Sequence, residues 1–112
     1  MKSFGEIIRQ ERKEKKIILR KAGAELNIDE ATISKLERGE RRATKKQVIR
    51  FANFYDLNEH DLLIAWLSDK LIYDLENETL AQEALKVALH RIKHNELKAK
   101  DDKSSQGVLG TS

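Results

Sequence analysis

His90 and His94 stand four residues apart in a segment of helical period, a spacing that turns two imidazoles to one side and is a first step toward a metal site. The constellation stops there. No glutamate follows His90 directly, His60 belongs to another segment, and a chain without cysteine offers no thiolate ligand, so no metal and no cofactor are expected. Ser34 lacks a nearby histidine to draw off its proton, and no glycine-rich loop is present to cradle a phosphate. An enzyme is not expected. What remains is the chemistry of hydrogen bonds and charge. Glu30, Ala31, Thr32, Ser34 and Lys35 face outward from the first two turns of a short helix whose Ile33 and Leu36 point inward. Such a face is built to touch something, and the major groove of DNA admits a helix of this kind.

The elements that position this face are encoded locally. Asn27 sits where one helix must stop and tolerates the left-handed conformation that most side chains avoid, while the Asp29 carboxylate can cap the helix that follows. A helix end, a short corner and a second helix make a helix-turn-helix. Upstream, Ser3 and Glu6 have capping-box spacing before Phe4, Ile7 and Ile8, which predicts a first helix over residues 4–15. The motif helices follow at 19–26 and 30–38, with Gly39 placed to end the latter. Thr44 and Gln47 repeat the capping box and open a fourth helix with Val48, Phe51, Ala52 and Tyr55 on one face, which should close the core. Asn58 and Asp61 open a fifth helix, whose apolar stripe of Leu62, Leu63, Ile64, Trp66, Leu67, Leu71, Ile72 and Leu75 is wider than one core requires. Residues 78–98 keep helical spacing through Leu80, Ala84, Leu85, Ala88, Leu89 and Ile92, so a sixth helix is expected to fold back on the fifth. From residue 100 onward periodicity is lost, and a flexible tail over 100–112 is expected.

Charge is distributed unevenly. Residues 1–55 carry 15 basic and 8 acidic side chains, residues 56–112 carry 7 and 11, so the net +3 of the chain conceals a basic first half and an acidic second half. One end is suited to face phosphates. With 112 residues, 39% hydrophobic and 37% charged, the chain is expected to form one small helical domain with appendages. No apolar run is long enough to span a bilayer, and the first residues lack the apolar stretch of a secretory signal, so no membrane partner and a cytoplasmic location are expected.

Residues 17–57 resemble the Xre-type helix-turn-helix family, that of the phage repressors and Cro. The resemblance rests on Gly23, Leu26, Ile28, Thr32, Ile33 and Ser34, the run Glu37, Arg38, Gly39, Glu40 and Arg41, and the segment from Thr44 to Leu57. The chain departs from the family pattern at Leu19, where a phosphate-gripping glutamine is usual, at Asn27 for glycine and at Ala43 for proline. The resemblance implies an all-α fold: a lambda-repressor-like five-helix DNA-binding domain over residues 1–76, with an added C-terminal helix over 77–99. It also implies a regulator that binds double-stranded DNA. On that pattern Glu30, Ala31 and Lys35 are expected to read bases, through a cytosine amino group, a thymine methyl and guanine acceptors. Arg20, Lys21, Thr32, Ser34, Arg38, Arg41 and Arg42 are expected to hold phosphates. Leu63, Trp66, Leu67 and Leu71 recur at three- and four-residue steps and are expected to form the ridge of a homodimer. In size and motif the chain is similar to the small controller proteins of restriction-modification systems. The alternative is a protein-interaction module such as an antitoxin, whose C-terminal helices grip a protein partner while DNA binding is secondary.

Overall fold

Four of the first five helices begin on a side chain that accepts from their own exposed amides, as the sequence spacing requires. In the computed structural model, which describes the backbone of residues 1–109 and the side chains of residues 1–98, the helices are α1 Phe4–Glu14, α2 Leu19–Leu26, α3 Glu30–Glu37, α4 Lys45–Phe54, α5 Glu59–Asp74 and α6 Ala81–Leu109. The fold is all-α, with no strand among the described residues. The Ser3 hydroxyl accepts from the Glu6 amide at 3.2 Å, and the Ser3 amide donates to Glu6 Oε1 at 3.2 Å. These bonds hold the Glu6 carboxyl below the usual carboxylate range. Thr44 and Gln47 close the same box at the start of α4, at 3.0 and 3.1 Å. Asp29 Oδ2 accepts from the Ala31 and Thr32 amides at 3.1 and 3.3 Å, and Asn58 Oδ1 from the Asp61 amide at 2.9 Å.

At the other ends, α1 to α4 are each closed by a residue in the left-handed region: Lys16 (φ 56), Asn27 (φ 54), Gly39 (φ 74) and Asp56 (φ 54). In each case the following amide turns back onto the last turn: Ile17 to the Arg12 carbonyl, Ile28 to Gly23, Glu40 to Lys35 and Leu57 to Ala52, at 2.8 to 3.0 Å. Glycine fills one of these four positions. Asn27 and Asp56 are types that tolerate this region, whereas at Lys16 a Cβ is carried at positive φ against the preference of the backbone.

The chain divides after Asp74 into two compact units. In the first, α4 presents Val48, Phe51, Ala52 and Tyr55 inward, all buried. Phe51 meets Phe4 of α1 edge-on with ring centroids 5.7 Å apart and stacks on Tyr55 at 6.1 Å. Ile33 and Leu36 of α3 complete the contact, also buried. Two glycines mark close backbone approaches. A Cβ on Gly5 would lie 2.5 Å from the Leu36 carbonyl oxygen, where α1 crosses α3, and one on Gly23 would lie 2.7 Å from that of Ile28, inside the corner of the motif. The Tyr55 hydroxyl is buried with no hydrogen-bond partner among the described residues. Burial, reinforced by the Glu37 carboxylate, pushes its pKa up to about 12.

Helix α5 carries two apolar faces. Leu62 and Ala65 are buried, with Leu63 and Trp66 packed partly against the same core. Ile64, Leu67 and Leu71 fall on the opposite side at helical spacing and are 40, 52 and 51% exposed. The four-residue ridge expected from the sequence is therefore split. Leu67 and Leu71 stand on an open face, whereas Leu63 and Trp66, at its edge, pack partly against the core of their own unit. In the second unit Asn77 takes φ 68 ahead of α6. Along α6 the side chains of Leu85, Leu89 and Ile92 form an exposed stripe, with Val87, and Leu80 just ahead of the helix, exposed away from it. The helix runs on to Leu109, past residue 100, where the sequence reading starts a flexible tail, since no proline interrupts it. Of that tail, residues 110–112 lie outside the described residues.

The left-handed helix ends yield a paired expectation. Lys16→Gly should raise stability by about 1 kcal/mol by removing a Cβ from positive φ. Gly39→Ala, where nothing lies within 4 Å of the added methyl, should lower stability by a similar amount. Denaturant midpoints at unchanged slope are the measure; equal effects of the same sign would refute the assignment of strain.

Candidate nucleic-acid interface

The corner between α2 and α3 spans residues 27–29 and needs no long-range help. Asn27 ends α2 in the left-handed region, Ile28 is buried beneath it, and Asp29 caps α3. With Ile33, Leu36 and Glu37 buried, α3 can turn only its other side outward. Ala31 and Lys35 are exposed on that side, one turn apart and opposite Ile33, and Glu30 is exposed at the start of the helix. Thr32 and Ser34 flank them, half-buried.

Past the end of α3 the three expected phosphate contacts Arg38, Arg41 and Arg42 differ. Ser34 accepts a hydrogen bond from Arg38, whose guanidinium also pairs with Glu40. That pairing holds the Arg38 guanidinium above and the Glu40 carboxyl below their ordinary values. Both side chains are about half exposed, so solvent and salt screen the pair and it can open toward a stronger anion. Arg41 is exposed. Arg42 is engaged elsewhere: its guanidinium lies 4.2 Å from the centre of the Trp66 ring, and Nη1 donates to the Trp66 carbonyl at 3.0 Å.

The helix-turn-helix family model matches residues 8–62, from Ile8 in the core face of α1 to Leu62, the first core residue of α5. This chain belongs to the Xre-type helix-turn-helix family. The family is a DNA-binding one. Compared with curated proteins and with solved structures, the chain has no match.

In a helix-turn-helix the exposed helix is useful only if its axis is fixed, and here an ion pair fixes it. Arg12, near the end of α1, donates from Nε and Nη2 to the two carboxylate oxygens of Glu37 at 2.8 and 3.1 Å, and from Nη1 to the Ile17 carbonyl at 3.0 Å. The fork matches the carboxylate, and Glu37 holds the guanidinium above its ordinary pKa. Neither residue figured among the sequence candidates. The signal was a glutamate one turn past Ile33 on the inward face of α3, where a charge demands a partner.

A second helix-turn-helix feature went unread. Ile18, which precedes α2, provides no side-chain cap, so the first amides of α2 stay available beside exposed Arg20 and Lys21. A β-branched apolar residue where serine, threonine or aspartate is usual was the clue. On α6, His90 and His94 line an open groove with Arg91 and Asn95, and no cluster of three metal-binding side chains occurs among the described residues.

The Arg12 and Glu37 side chains keep 13 and 4% exposure. Arg12→Met should therefore cost about 3 kcal/mol, because it strands a buried carboxylate, whereas Arg12→Met with Glu37→Leu should recover most of the loss. A double-mutant cycle by chemical denaturation measures this; additive losses would refute the coupling.

Proposed function

We propose that this protein is a sequence-specific DNA-binding transcription regulator that acts as a homodimer, laying α3 into the major groove of its operator. The observation that carries the reading is the exposed side of α3, where Ala31 and Lys35, with Glu30 exposed in the first turn, stand on a helix whose other side is locked into the core. Glu30 accepts from a cytosine amino group, Ala31 meets a thymine methyl and Lys35 donates to guanine acceptors. Thr32, Ser34, Arg20, Lys21, Arg38 and Arg41 hold phosphates and set the register. Arg38 releases Glu40 as it does so. The excess of basic over acidic side chains in residues 1–55, 15 against 8, supports the same orientation.

A lone recognition helix contacts few bases, and pairing two supplies the missing affinity and specificity. The exposed Leu67 and Leu71 of α5, with Ile64 beside them, and the Leu85, Leu89 and Ile92 stripe of α6 supply apolar surface for that pairing. The operator is then an inverted repeat with half-site centres roughly 34–36 Å apart or a multiple of that. Autoregulation of the kind practised by small controller proteins fits a chain of this size. A protein partner on other exposed apolar positions of the second unit, Leu80, Val87 and Leu97, is the second reading; co-purification of an unrelated small protein in fixed ratio would favour it.

The operator is obtained by selecting bound duplexes from a random pool. On it, Lys35→Ala should cost about 1–3 kcal/mol at fixed salt while leaving random DNA unaffected; equal losses on both would remove Lys35 from the base readers. Arg41→Ala should instead weaken all sequences alike and reduce the slope of log affinity against log salt by about one. Leu67→Glu places like charges at the paired face without touching the core. It should abolish both the dimer, read by sedimentation, and specific binding, and a wild-type protein that remains monomeric on its operator would overturn the assembly.

A further inference from the structure

We propose that Arg42 is a positioning residue that, resting on the proposed DNA-binding reading, holds the segment after the recognition helix in place without touching DNA. Residues 39–44 connect α3 to α4 and contain Arg41, an exposed side chain in that reading's phosphate set. A segment this short and polar has little apolar surface of its own to hold it. It is fastened instead by a reciprocal clasp to Trp66 of α5. The Arg42 guanidinium covers the indole face at 4.2 Å and its Nη1 donates to the Trp66 carbonyl at 3.0 Å. In the other direction, indole Nε1 donates to the carbonyl of neighbouring Ala43 at 2.8 Å. Ala43 is buried while Arg41 and Arg42 are exposed, so the clasp pins the inner edge of the segment and leaves Arg41 facing solvent. Arginine suits this role better than lysine, because its planar group stacks on the ring and retains an in-plane donor for the carbonyl.

An arginine that left Trp66 for a phosphate would give up the ring and the carbonyl together. It would also loosen the segment that carries Arg41. Holding the clasp closed on DNA is therefore the arrangement that keeps both. Trp66 is the sole tryptophan of the chain, so its emission reports the guanidinium above it directly.

The experiment compares wild type, Arg42→Ala, Arg42→Lys and Arg41→Ala. Emission is recorded with and without saturating selected duplex, salt slopes are measured, and amide hydrogen exchange is followed at Gly39, Glu40 and Thr44, which all donate within or beside the segment. In the free protein, Arg42→Ala should change the Trp66 emission and speed exchange at these amides about threefold to fivefold at unchanged helicity. Arg42→Lys should restore little of either. On DNA the wild-type emission should keep its free-protein form, and Arg42→Ala should keep the wild-type salt slope, which Arg41→Ala reduces by about one. Wild-type emission that converges on that of Arg42→Ala as duplex is added, together with a slope reduced by about one in Arg42→Ala, would overturn the proposal and make Arg42 a phosphate contact. A wild-type protein that binds no duplex overturns the DNA-binding reading itself. The clasp is then judged on exchange alone, where equal rates in wild type and Arg42→Ala would overturn it.

Discussion

Glu37 is the one charged residue that the first unit buries among the described residues, and the placement of the exposed helix turns on what surrounds it. A carboxylate removed from water must be matched almost completely or the fold loses several kcal/mol. Arg12 supplies the match from the end of α1, and with its remaining donor it fastens Ile17 in the link to α2. One guanidinium thus joins the exit of α1, the entry to α2 and the last turn of α3. Beside this knot Gly5 brings the α1 backbone against the carbonyls of Leu36 and Glu37, so α3 is held by polar bonds and by a close steric fit at the same end. Its first turn, held by Asp29, is left to present Glu30 and Ala31.

The local parts of this arrangement were legible in the sequence. Ser3 with Glu6, Thr44 with Gln47, Asp29 and Asn58 each announce a helix start, because a cap needs a particular acceptor within three residues of the amides it serves. Asn27 announced the corner because it tolerates the left-handed conformation that ends α2. The inward faces of α3 and α4 followed from period alone, since each has a single apolar side. Where a contact joins distant residues the sequence was silent. Arg12 meets Glu37 across 25 positions and Arg42 meets Trp66 across 24, and no spacing rule links residues so far apart. The basic side chains after α3 therefore looked alike, while the structure sorts them into Arg38 paired with its neighbours, Arg41 exposed, and Arg42 stacked on an aromatic ring.

Helix α5 shows a different limit. Period detects that a helix has apolar residues to spare, but a helix apolar on two sides carries no record of which side its own core takes. Leu63 and Trp66 were grouped with Leu67 and Leu71 on that account, and packing separated them. Ile64, Leu67 and Leu71 remain exposed.

That two-sidedness has a consequence for how uniquely the unit folds. Apolar burial is non-directional, so by itself it would let α5 settle on the core by either flank, at little difference in energy and with a half-turn rotation between the two states. Polar bonds break the tie. Asp69 accepts from the Phe4 amide at 3.0 Å and the Trp66 indole donates to Ala43 at 2.8 Å, and both bonds exist in one rotational setting only. In the other setting the acid and the indole N–H would face away from these partners, and the first amide of α1 would lose its acceptor. These two hydrogen bonds act as the index marks of the helix, fixing which apolar flank is spent inside and which is kept outside.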